Sequence, residues 1–186
     1  MPREEIASPE PVLLGLLIEG PAHPYELYRR FDRELGRVWR VGQSHLYAYL
    51  KHIEAEGFAS VEVEEQEGRP DRNVYSITSS GRRRFEAWLR EPSKPQVRKL
   101  RLELLARLYF FRALALPGLG EFAAAQGAAL DERLASIDSA MGETSDEYWR
   151  SVLDFRKSEI EAVMAWLGRC TDANHDKVPL EASHDA

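Results

Sequence analysis

The stretch that decides the fold is Ser44-His45-Leu46-Tyr47-Ala48-Tyr49-Leu50-Lys51. At about 100° per residue, its apolar residues Leu46 and Leu50 share one side of a helix with Ile53. The opposite side carries small, polar and basic side chains: Ser44, Ala48, Lys51 and Ala55. The pattern therefore predicts a helix from Gln43 to Glu56, ended by Gly57, with one face buried and one face exposed.

Two shorter helices are predicted before this one. The segment Val12–Glu19 is apolar nearly all round and ends at Gly20-Pro21, so we expect it to be the most buried helix of its domain. A second helix begins at Pro24 and ends near Gly36, with arginines on its outward face.

After Gly57 the apolar period changes from that of a helix to two residues, which indicates a β-hairpin. Its strands contain Val61 and Val63 on one side and Val74 and Tyr75 on the other, with Gly68-Arg69-Pro70-Asp71-Arg72 as the tip. A fourth helix follows and carries Phe85, Trp88 and Leu89. Three helices followed by a hairpin are the order of a winged helix-turn-helix, so the predicted fold class is mainly α with a small β-hairpin wing.

Pro92 and Pro95 mark a boundary, beyond which the pattern is helical. We predict a winged-helix domain at 1–91, a helical dimerisation domain at 96–170 with antiparallel or coiled helices, and a disordered tail at 171–186. The segment from Leu100 to Leu116 is apolar on too many faces for a lone helix, which favours burial against a second subunit. The residues predicted to form the dimer are Leu104, Leu108, Phe111, Trp149, Ile160, Val163 and Leu167.

Composition restricts the class of protein. The 186 residues hold a single cysteine, Cys170, which suits a reducing cytoplasm, and no apolar run is long enough to cross a membrane. We find no P-loop, dinucleotide fingerprint, nucleophile elbow or metal-ligand spacing, so we expect neither an enzyme nor a cofactor or metal site. The net charge of −6 is only a weak objection to a nucleic-acid partner, because only the docking face must be positive.

Several short motifs in the first half of the chain resemble those of one family. They are Leu14-Gly15-Leu16-Leu17, His23-Pro24-Tyr25-Glu26-Leu27, Ser44-x-x-Tyr47-x-x-Leu50, Glu54-x-Glu56-Gly57, Tyr75-x-Ile77-Thr78-x-x-Gly81-Arg82 and Trp88-Leu89. Together they are similar to the PadR-type transcriptional regulators over about Val12 to Leu89. The resemblance implies a homodimer with an N-terminal winged helix, and in many members a small aromatic or drug-like ligand releases the protein from DNA.

Two positions depart from the family pattern. Pro24 stands where the family usually has glycine, which would stiffen the entry to the second helix. The wing also carries an unusual number of acidic residues for a hairpin near DNA: Glu62, Glu64, Glu65 and Glu67. The acidic residues affect the DNA contacts expected of the wing more than those expected of the helix at 43–56.

The exposed face of the helix at 43–56 supplies the candidate DNA contacts. Gln43 can present an amide to adenine, Ser44 and Tyr47 can hydrogen-bond a phosphate or base edge, and Lys51 can neutralise a phosphate. Ala48 would allow close approach. The alternative is that Gln43 and Ser44 only cap the helix and that Lys51 is solvated surface.

Arg69 and Arg72 at the hairpin tip could reach the minor groove or flanking phosphates. The alternative is an ordinary polar turn whose arginines offset nearby glutamates. Tyr25, at the start of the second helix, is a candidate phosphate donor, and a core tyrosine is the competing interpretation.

Four tryptophans allow a ligand hypothesis, because flat aromatic side chains at a dimer interface suit planar organic molecules. Trp39, Trp88, Trp149 and Trp166 are spaced like ordinary core residues, which is the simpler interpretation. If there is a pocket, its expected members are Trp88, Trp149 and Trp166.

The favoured hypothesis is a cytoplasmic, homodimeric, ligand-responsive repressor that binds double-stranded DNA, itself and a small aromatic or hydrophobic effector. A competing hypothesis is a winged-helix module that binds a protein partner through its acidic wing. A third is a ligand-binding dimer that does not bind DNA.

Overall fold

The computed structural model describes residues 7–64, 72–94 and 97–171, without the side chains of 97 and 98. Residues 68–71 of the predicted hairpin tip, including Arg69, lie outside these ranges. Most of the predicted tail also lies outside them. The described residues form seven helices and two strands. In chain order these are α1 (Glu10–Glu19), α2 (Pro24–Leu35), α3 (Gln43–Ala55), β1 (Ala59–Glu64), β2 (Arg72–Ile77), α4 (Ser79–Arg90), α5 (Val97–Ala113), α6 (Leu119–Glu143) and α7 (Glu147–Thr171). The predicted fold class, mainly α with a β-hairpin wing, is confirmed.

Helix α1 is the centre of the N-terminal core. Every residue from Val12 to Leu17 is buried, because this helix is apolar on all sides and contacts α2, α3, α4 and β2. The other helices contribute single apolar stripes, such as Leu27 and Phe31 of α2 and Phe85 of α4, all at most 1% exposed. The prediction that α1 is the most buried helix of its domain is therefore confirmed.

The wing is an antiparallel hairpin in which Ala59 pairs with Ile77 and Glu64 pairs with Arg72. Ala22, just before α2, adds a third short segment by exchanging two backbone hydrogen bonds with Tyr75, at 3.0 and 2.9 Å. Arg72 was predicted to lie in the tip. It is instead the first residue of β2, because the ladder extends out to Glu64.

The described chain divides into two units, residues 1–90 and 91–186. The second unit holds α5, α6 and α7, and the two 25-residue helices α6 and α7 pack along each other after a link of only three residues, 144–146. Such a short link fits an antiparallel pair. Its buried apolar residues include Leu130 and Ile137 of α6 and Leu153 and Ile160 of α7.

Several helix bounds differ from the prediction by one to three residues, and two of these differences have a visible cause. Helix α5 ends at Ala113 rather than Leu116, because Ala115 adopts the left-handed region with φ 47° and Leu116 N–H donates back to the Phe111 carbonyl at 2.9 Å. Helix α7 extends to Thr171, which was assigned to the tail, and the Thr171 hydroxyl donates to the Gly168 carbonyl. In the described part of the chain, no helix is both long enough and apolar enough to span a membrane.

Candidate nucleic-acid interface

Helix α3 has the two faces that its sequence predicts. Leu46, Leu50 and Ile53 are at most 1% exposed and anchor the helix to the core. Gln43, Ser44, Ala48 and Lys51 are all exposed on the other side, and Tyr47 is half-buried. Four polar or small side chains are therefore available to a partner on a helix whose position is fixed by the core beneath it.

The first turn of α3 contains an internal contact between two of the candidate residues. The Gln43 side-chain amide donates a hydrogen bond to the Tyr47 hydroxyl at 2.9 Å, one turn along the helix. The N-cap residue is Gly42, which has no side chain to cap the first turn, so Gln43 and Ser44 do not act as N-caps. Their side chains remain turned outward, which weakens the interpretation that they serve only the helix.

The wing is tied to the C-terminal half of α3. The Tyr75 hydroxyl of β2 donates to Glu54 of α3 at 3.2 Å, and Tyr75 is only 5% exposed. Burial, and then the neighbouring Glu54 carboxylate, raise the pKa of Tyr75 above its ordinary value of 10.0. The bond therefore joins β2 to the end of α3, and neutral Tyr75 is the form that the fold favours.

The junction after α3 is packed closely against the start of α4. The hydroxyls of Thr78 and Ser80 both donate to the Gly57 carbonyl at 2.8 Å, and Gly57 has a φ of 71° that favours glycine. Gly81 has no room for a side chain, since a Cβ there would lie 2.0 Å from the Phe58 carbonyl oxygen. This junction fixes the angle at which the wing leaves the helix.

The arginines around α2 divide into two groups. Arg30 bonds Glu26 at 2.5 Å and the Gly20 carbonyl at 3.2 Å, and Arg33 bonds Glu34 at 2.6 Å. The other members of the basic run are Arg29, Arg37 and Arg40. They are exposed, and within the described ranges no ion pair holds them. Arg40 lies three residues before α3, so uncompensated positive charge flanks the exposed face of that helix.

The remaining DNA candidates are also at the surface. Tyr25 is 50% exposed in the first turn of α2, so the competing core interpretation does not apply. Arg72 is exposed at the end of the hairpin ladder, opposite Glu64. Neither residue shares an element with the α3 face, and Arg69 lies outside the described residues.

The predicted dimer residues are mostly covered within one chain. Leu104, Phe111, Ile160 and Leu167 are each at most 5% exposed, because they face the interior of the helical unit. Leu108 and Val163 are half-buried, and Trp149 is 42% exposed beneath the Arg156 guanidinium, 5.4 Å from its ring centre. The pattern did not identify the most exposed aromatic side chains of α7, Tyr148 at 78% and Phe155 at 64%.

One apolar cavity of about 250 Å³ lies between α5 and α7. It is lined by Arg101, Leu104, Leu105, Ala162, Val163 and Trp166. Of the three tryptophans predicted for a ligand site, only Trp166 lines it. Trp88 stacks at a tilt on Phe85, with ring centres 5.9 Å apart, and Trp149 lies under Arg156.

The two histidines of α3 and the single cysteine have simple surroundings. His45 and His52 are exposed, and His52 Nδ1 lies 2.9 Å from a Glu10 carboxylate oxygen. Cys170 is buried, and that burial raises the pKa of its thiol even though Arg112 and Arg169 oppose the shift. Within the described ranges, no cluster of three or more histidine, cysteine, aspartate or glutamate side chains could hold a metal ion.

Sequence reasoning missed a buried polar group in the helical unit. Ser93, Glu103, Arg107 and Gln126 are between 0% and 8% exposed and are hydrogen-bonded to one another. The signal that could have found it is Gln126, a lone amide among the small residues Ala123 to Ala129 of α6.

A tri-helical core, a hairpin anchored to the third helix and an exposed polar helix face together define a winged helix-turn-helix domain. Residues 13–87 match the model of the transcriptional regulator PadR-like family. This match covers the same part of the chain as the motifs that resemble the family.

Two curated proteins are similar to the chain. A probable transcriptional regulator of Mycobacterium tuberculosis is 37% identical over 90 residues, which cover 48% of this chain and 47% of that protein. The negative transcriptional regulator PadR of Bacillus subtilis is 29% identical over 103 residues, or 55% and 56% of the two chains. The matches thus span about half the length of each curated relative.

Among solved structures, Bacillus subtilis PadR in complex with operator DNA superposes with a TM-score of 0.46. The two chains are 22% identical, and the superposition covers 89% of this chain and 98% of that one. The operator DNA belongs to that protein.

Proposed function

We propose that the protein is a sequence-specific DNA-binding transcriptional regulator, a homodimeric repressor that responds to a small effector in the cytoplasm. The observation that carries the proposal is the exposed polar face of α3, held rigidly by a fully buried apolar face. The PadR-like domain at 13–87 and two relatives that are transcriptional regulators support it.

Each α3 would enter the major groove with its N-terminal residues toward the bases. Ser44 and the Gln43–Tyr47 pair would contact base edges or phosphate, and Lys51 would contact phosphate. Ala48 lies among these residues and has only a methyl group, so the helix can lie close to the floor of the groove. Exposed Arg37 and Arg40 would add sequence-independent attraction to the phosphates.

The dimer would form through the outer side of α7. Leu153, Ile160 and Leu167 face the interior at seven-residue spacing. A second apolar stripe begins on another side of α7, with Tyr148, Val152 and Phe155 spaced 4 and 3. Tyr148 and Phe155 are exposed and Val152 is half-buried. Exposed aromatic surface of this kind is typical of a face that a partner covers, and a second copy would bury it. Two copies related by a two-fold axis would then present two α3 helices to a palindromic site.

The effector would occupy the cavity between α5 and α7. Its lining is apolar except for Arg101, an exposed side chain that has no ion pair among the described residues. A flat apolar molecule could lie against Trp166, and an acidic group on it could reach Arg101. Binding would regulate DNA affinity only if the two states of the dimer bind the effector differently.

The DNA proposal is tested by selection from random duplexes with the purified chain, followed by affinity measurements across a salt series. We expect one palindromic sequence to be enriched and its affinity to fall steeply as salt rises, since phosphate contacts release counterions. The double variant Tyr47→Ala, Lys51→Ala should lose this binding and keep its unfolding midpoint. Lys94→Ala, an exposed lysine in the helical unit, is the matched control for loss of charge and should bind normally.

Two results would contradict the DNA proposal. One is the absence of any enriched sequence from a folded, self-associated protein at low salt. The other is unchanged affinity in the double variant, which would show that the α3 face does not read the DNA.

The effector proposal has a separate test with a fluorescent aromatic sulfonate, anilinonaphthalene sulfonate, as the probe. Ala162→Phe should fill the cavity and reduce probe binding at least tenfold while DNA affinity stays the same. Ala128→Phe, at an exposed alanine of α6 that does not line the cavity, is the control. Equal probe binding by the wild type and Ala162→Phe would exclude the cavity as the site.

A further inference from the structure

The first two turns of α3 carry a pair of side chains joined by a hydrogen bond with a defined direction. The Gln43 side-chain nitrogen, Nε2, donates to the Tyr47 hydroxyl oxygen at 2.9 Å, four residues along the helix. This spacing places both side chains on one side of α3, about one turn apart. The helix beneath them is anchored in the core, because Leu46 is 0% exposed and Leu50 is 1% exposed. The pair therefore projects from a part of α3 that the core holds in place.

The bond leaves a defined set of donors and acceptors open to a partner. A glutamine amide has two N–H donors and one carbonyl acceptor, and a tyrosine hydroxyl has one hydrogen to donate. Among the described residues, Gln43 and Tyr47 have no side-chain hydrogen bond other than the one that joins them. One N–H and the Oε1 oxygen of Gln43 are therefore still available, together with the hydroxyl hydrogen of Tyr47.

The available groups of Gln43 match the major-groove edge of adenine. Adenine presents an acceptor, N7, beside a donor, the N6 amino group, and a glutamine amide can bond both at once. Turning the amide over exchanges its nitrogen and its oxygen, so only one of its two orientations fits the base. The contact with Tyr47 selects one orientation before DNA is bound, which removes part of the entropy cost of ordering Gln43 on binding.

A DNA phosphate would fix the direction of the bond between the two side chains. The N-terminal end of α3 is the positive end of the helix dipole, and its first turn contains no acidic residue that would repel a phosphate. Once the Tyr47 hydroxyl donates its hydrogen to a phosphate oxygen, it can only accept from Gln43. The amide nitrogen must then face Tyr47, which is the orientation that the structure has.

We propose that Tyr47 is a positioning residue for base recognition: its hydroxyl donates to a DNA phosphate, accepts from Gln43 and so orients the Gln43 amide to read adenine. The inference rests on the proposed function and deepens it by naming the base and the residue that reads it. Under this proposal, a contact to the DNA backbone determines the specificity for one base through a single hydroxyl group.

The test is selection from random duplexes with the full-length protein, followed by affinity measurements for all four bases at each position of the enriched site. Gln43→Ala identifies the position that Gln43 reads, because the base preference should disappear there and remain elsewhere. At that position the wild type should prefer adenine by about fivefold or more over each other base, as expected for a bidentate contact.

The decisive variant is Tyr47→Phe, which keeps the aromatic ring and removes only the hydroxyl. The adenine preference at the Gln43 position should fall below about twofold, and the preferences at the other positions should stay as in the wild type. Affinity should also fall by a similar factor for all sequences, because a phosphate contact is lost. In the Gln43→Ala background, Tyr47→Phe should produce only this uniform loss.

Tyr49→Phe is the matched control. Tyr49 is another half-buried tyrosine of α3, and it lies about 200° around the helix from Tyr47. Removal of its hydroxyl should leave the adenine preference unchanged. A second measurement uses the wild-type protein and does not depend on the folding of any variant. Duplexes that carry an uncharged methylphosphonate in place of single phosphates should include one that lowers both the affinity and the adenine preference.

The outcomes separate the two levels of the argument. No enriched sequence from the folded wild type would overturn the proposed function. An enriched site in which Gln43→Ala changes no position, or changes one that prefers another base, would overturn only the adenine assignment. Retention of the adenine preference in Tyr47→Phe, or with every methylphosphonate duplex, would overturn the positioning role. An equal loss in Tyr49→Phe would also overturn it, because a general effect on α3 would then explain the result.

Discussion

The two units of the molecule have interiors of different kinds. In the N-terminal unit the stretch from Val12 to Leu17 of α1 is buried, and the helix contacts α2, α3, α4 and β2. In the helical unit the interior contains an arginine, a glutamate and a glutamine, an apolar cavity lies between two helices, and aromatic side chains of α7 face solvent. The first unit is complete as a single chain. The second leaves apolar surface uncovered, which a second copy or an effector would cover under the proposed function.

The largest expected effect compares a leucine from each interior. Leu16 in α1 is 0% exposed and Leu104 in α5 is 2% exposed, but Leu104 borders the cavity. Leu16→Ala should lower the free energy of unfolding by about 4 kcal/mol, and Leu104→Ala by only about 2 kcal/mol, because fewer contacts are lost beside an existing void. Urea unfolding followed by circular dichroism measures both. Equal losses would mean that the two interiors are packed equally well.

The second prediction concerns the exposed aromatic stripe of α7. Phe155→Ser should raise the dissociation constant of the dimer about tenfold, or about 1.4 kcal/mol, because association would bury this side chain. The free energy of unfolding at low protein concentration should change by less than about 0.5 kcal/mol. Sedimentation velocity over a concentration series gives the dissociation constant. Ser158→Ala, at an exposed position on the same helix, is the control, and an unchanged constant in Phe155→Ser would remove α7 from the interface.

The third prediction tests the bond that joins the wing to α3. Tyr75→Phe removes the hydrogen bond to Glu54 and should lower the free energy of unfolding by about 1 kcal/mol. The pKa of Tyr75 is raised in the folded state, so its contribution is fully present below its ordinary value of 10.0 and is lost as pH rises through the folded pKa.

Urea midpoints at about pH 8 and about pH 11 measure this dependence on both sides of the ordinary tyrosine pKa. The wild type should lose more stability than Tyr75→Phe between the two conditions. A parallel loss in both proteins would mean that Tyr75 does not contribute to the alkaline transition.

The smallest predicted effect is a gain of stability in the helical unit. Ala115 has a φ of 47°, a conformation that glycine adopts at lower free energy, and it lies just after the end of α5. Ala115→Gly should therefore raise the free energy of unfolding by about 0.5 kcal/mol or more. A differential scanning calorimetry trace is the measurement, with Ala113→Gly, inside the last turn of α5, expected to lower stability. A lower free energy of unfolding in Ala115→Gly than in the wild type would show that the turn is not strained.

The sequence predicted the N-terminal unit well because its signals are local. The stripe of Leu46, Leu50 and Ile53 lies within two turns of one helix, and the change to a two-residue period after Gly57 marks the hairpin directly. The same periodicity fixed which residues of α3 are exposed. Their contact with DNA remains a prediction. An apolar pattern predicts which side chains of a helix are exposed, but it does not identify the molecule that binds them.

The helical unit was harder to predict for two physical reasons. A seven-residue apolar spacing shows that a helix is packed, but it does not say whether the neighbour is in the same chain. Ile160 and Leu167 were therefore assigned to a dimer, and they face their own chain's interior. The bonds between Gln126 and Ser93 join residues 33 positions apart. The spacing of apolar residues within one helix cannot predict a contact over that distance in sequence.

The burial of every residue from Val12 to Leu17 in α1 has a consequence for how the protein is made. Residues 12–17 are synthesised well before the end of α4, which contacts α1 and ends only at Arg90. At about 5–20 residues per second, several seconds separate the two events. During that interval the most apolar segment of the N-terminal unit has no complete core to enter. Synthesis speed and chaperone contact over these residues, rather than the stability of the finished fold, should govern how much of the protein reaches its native state.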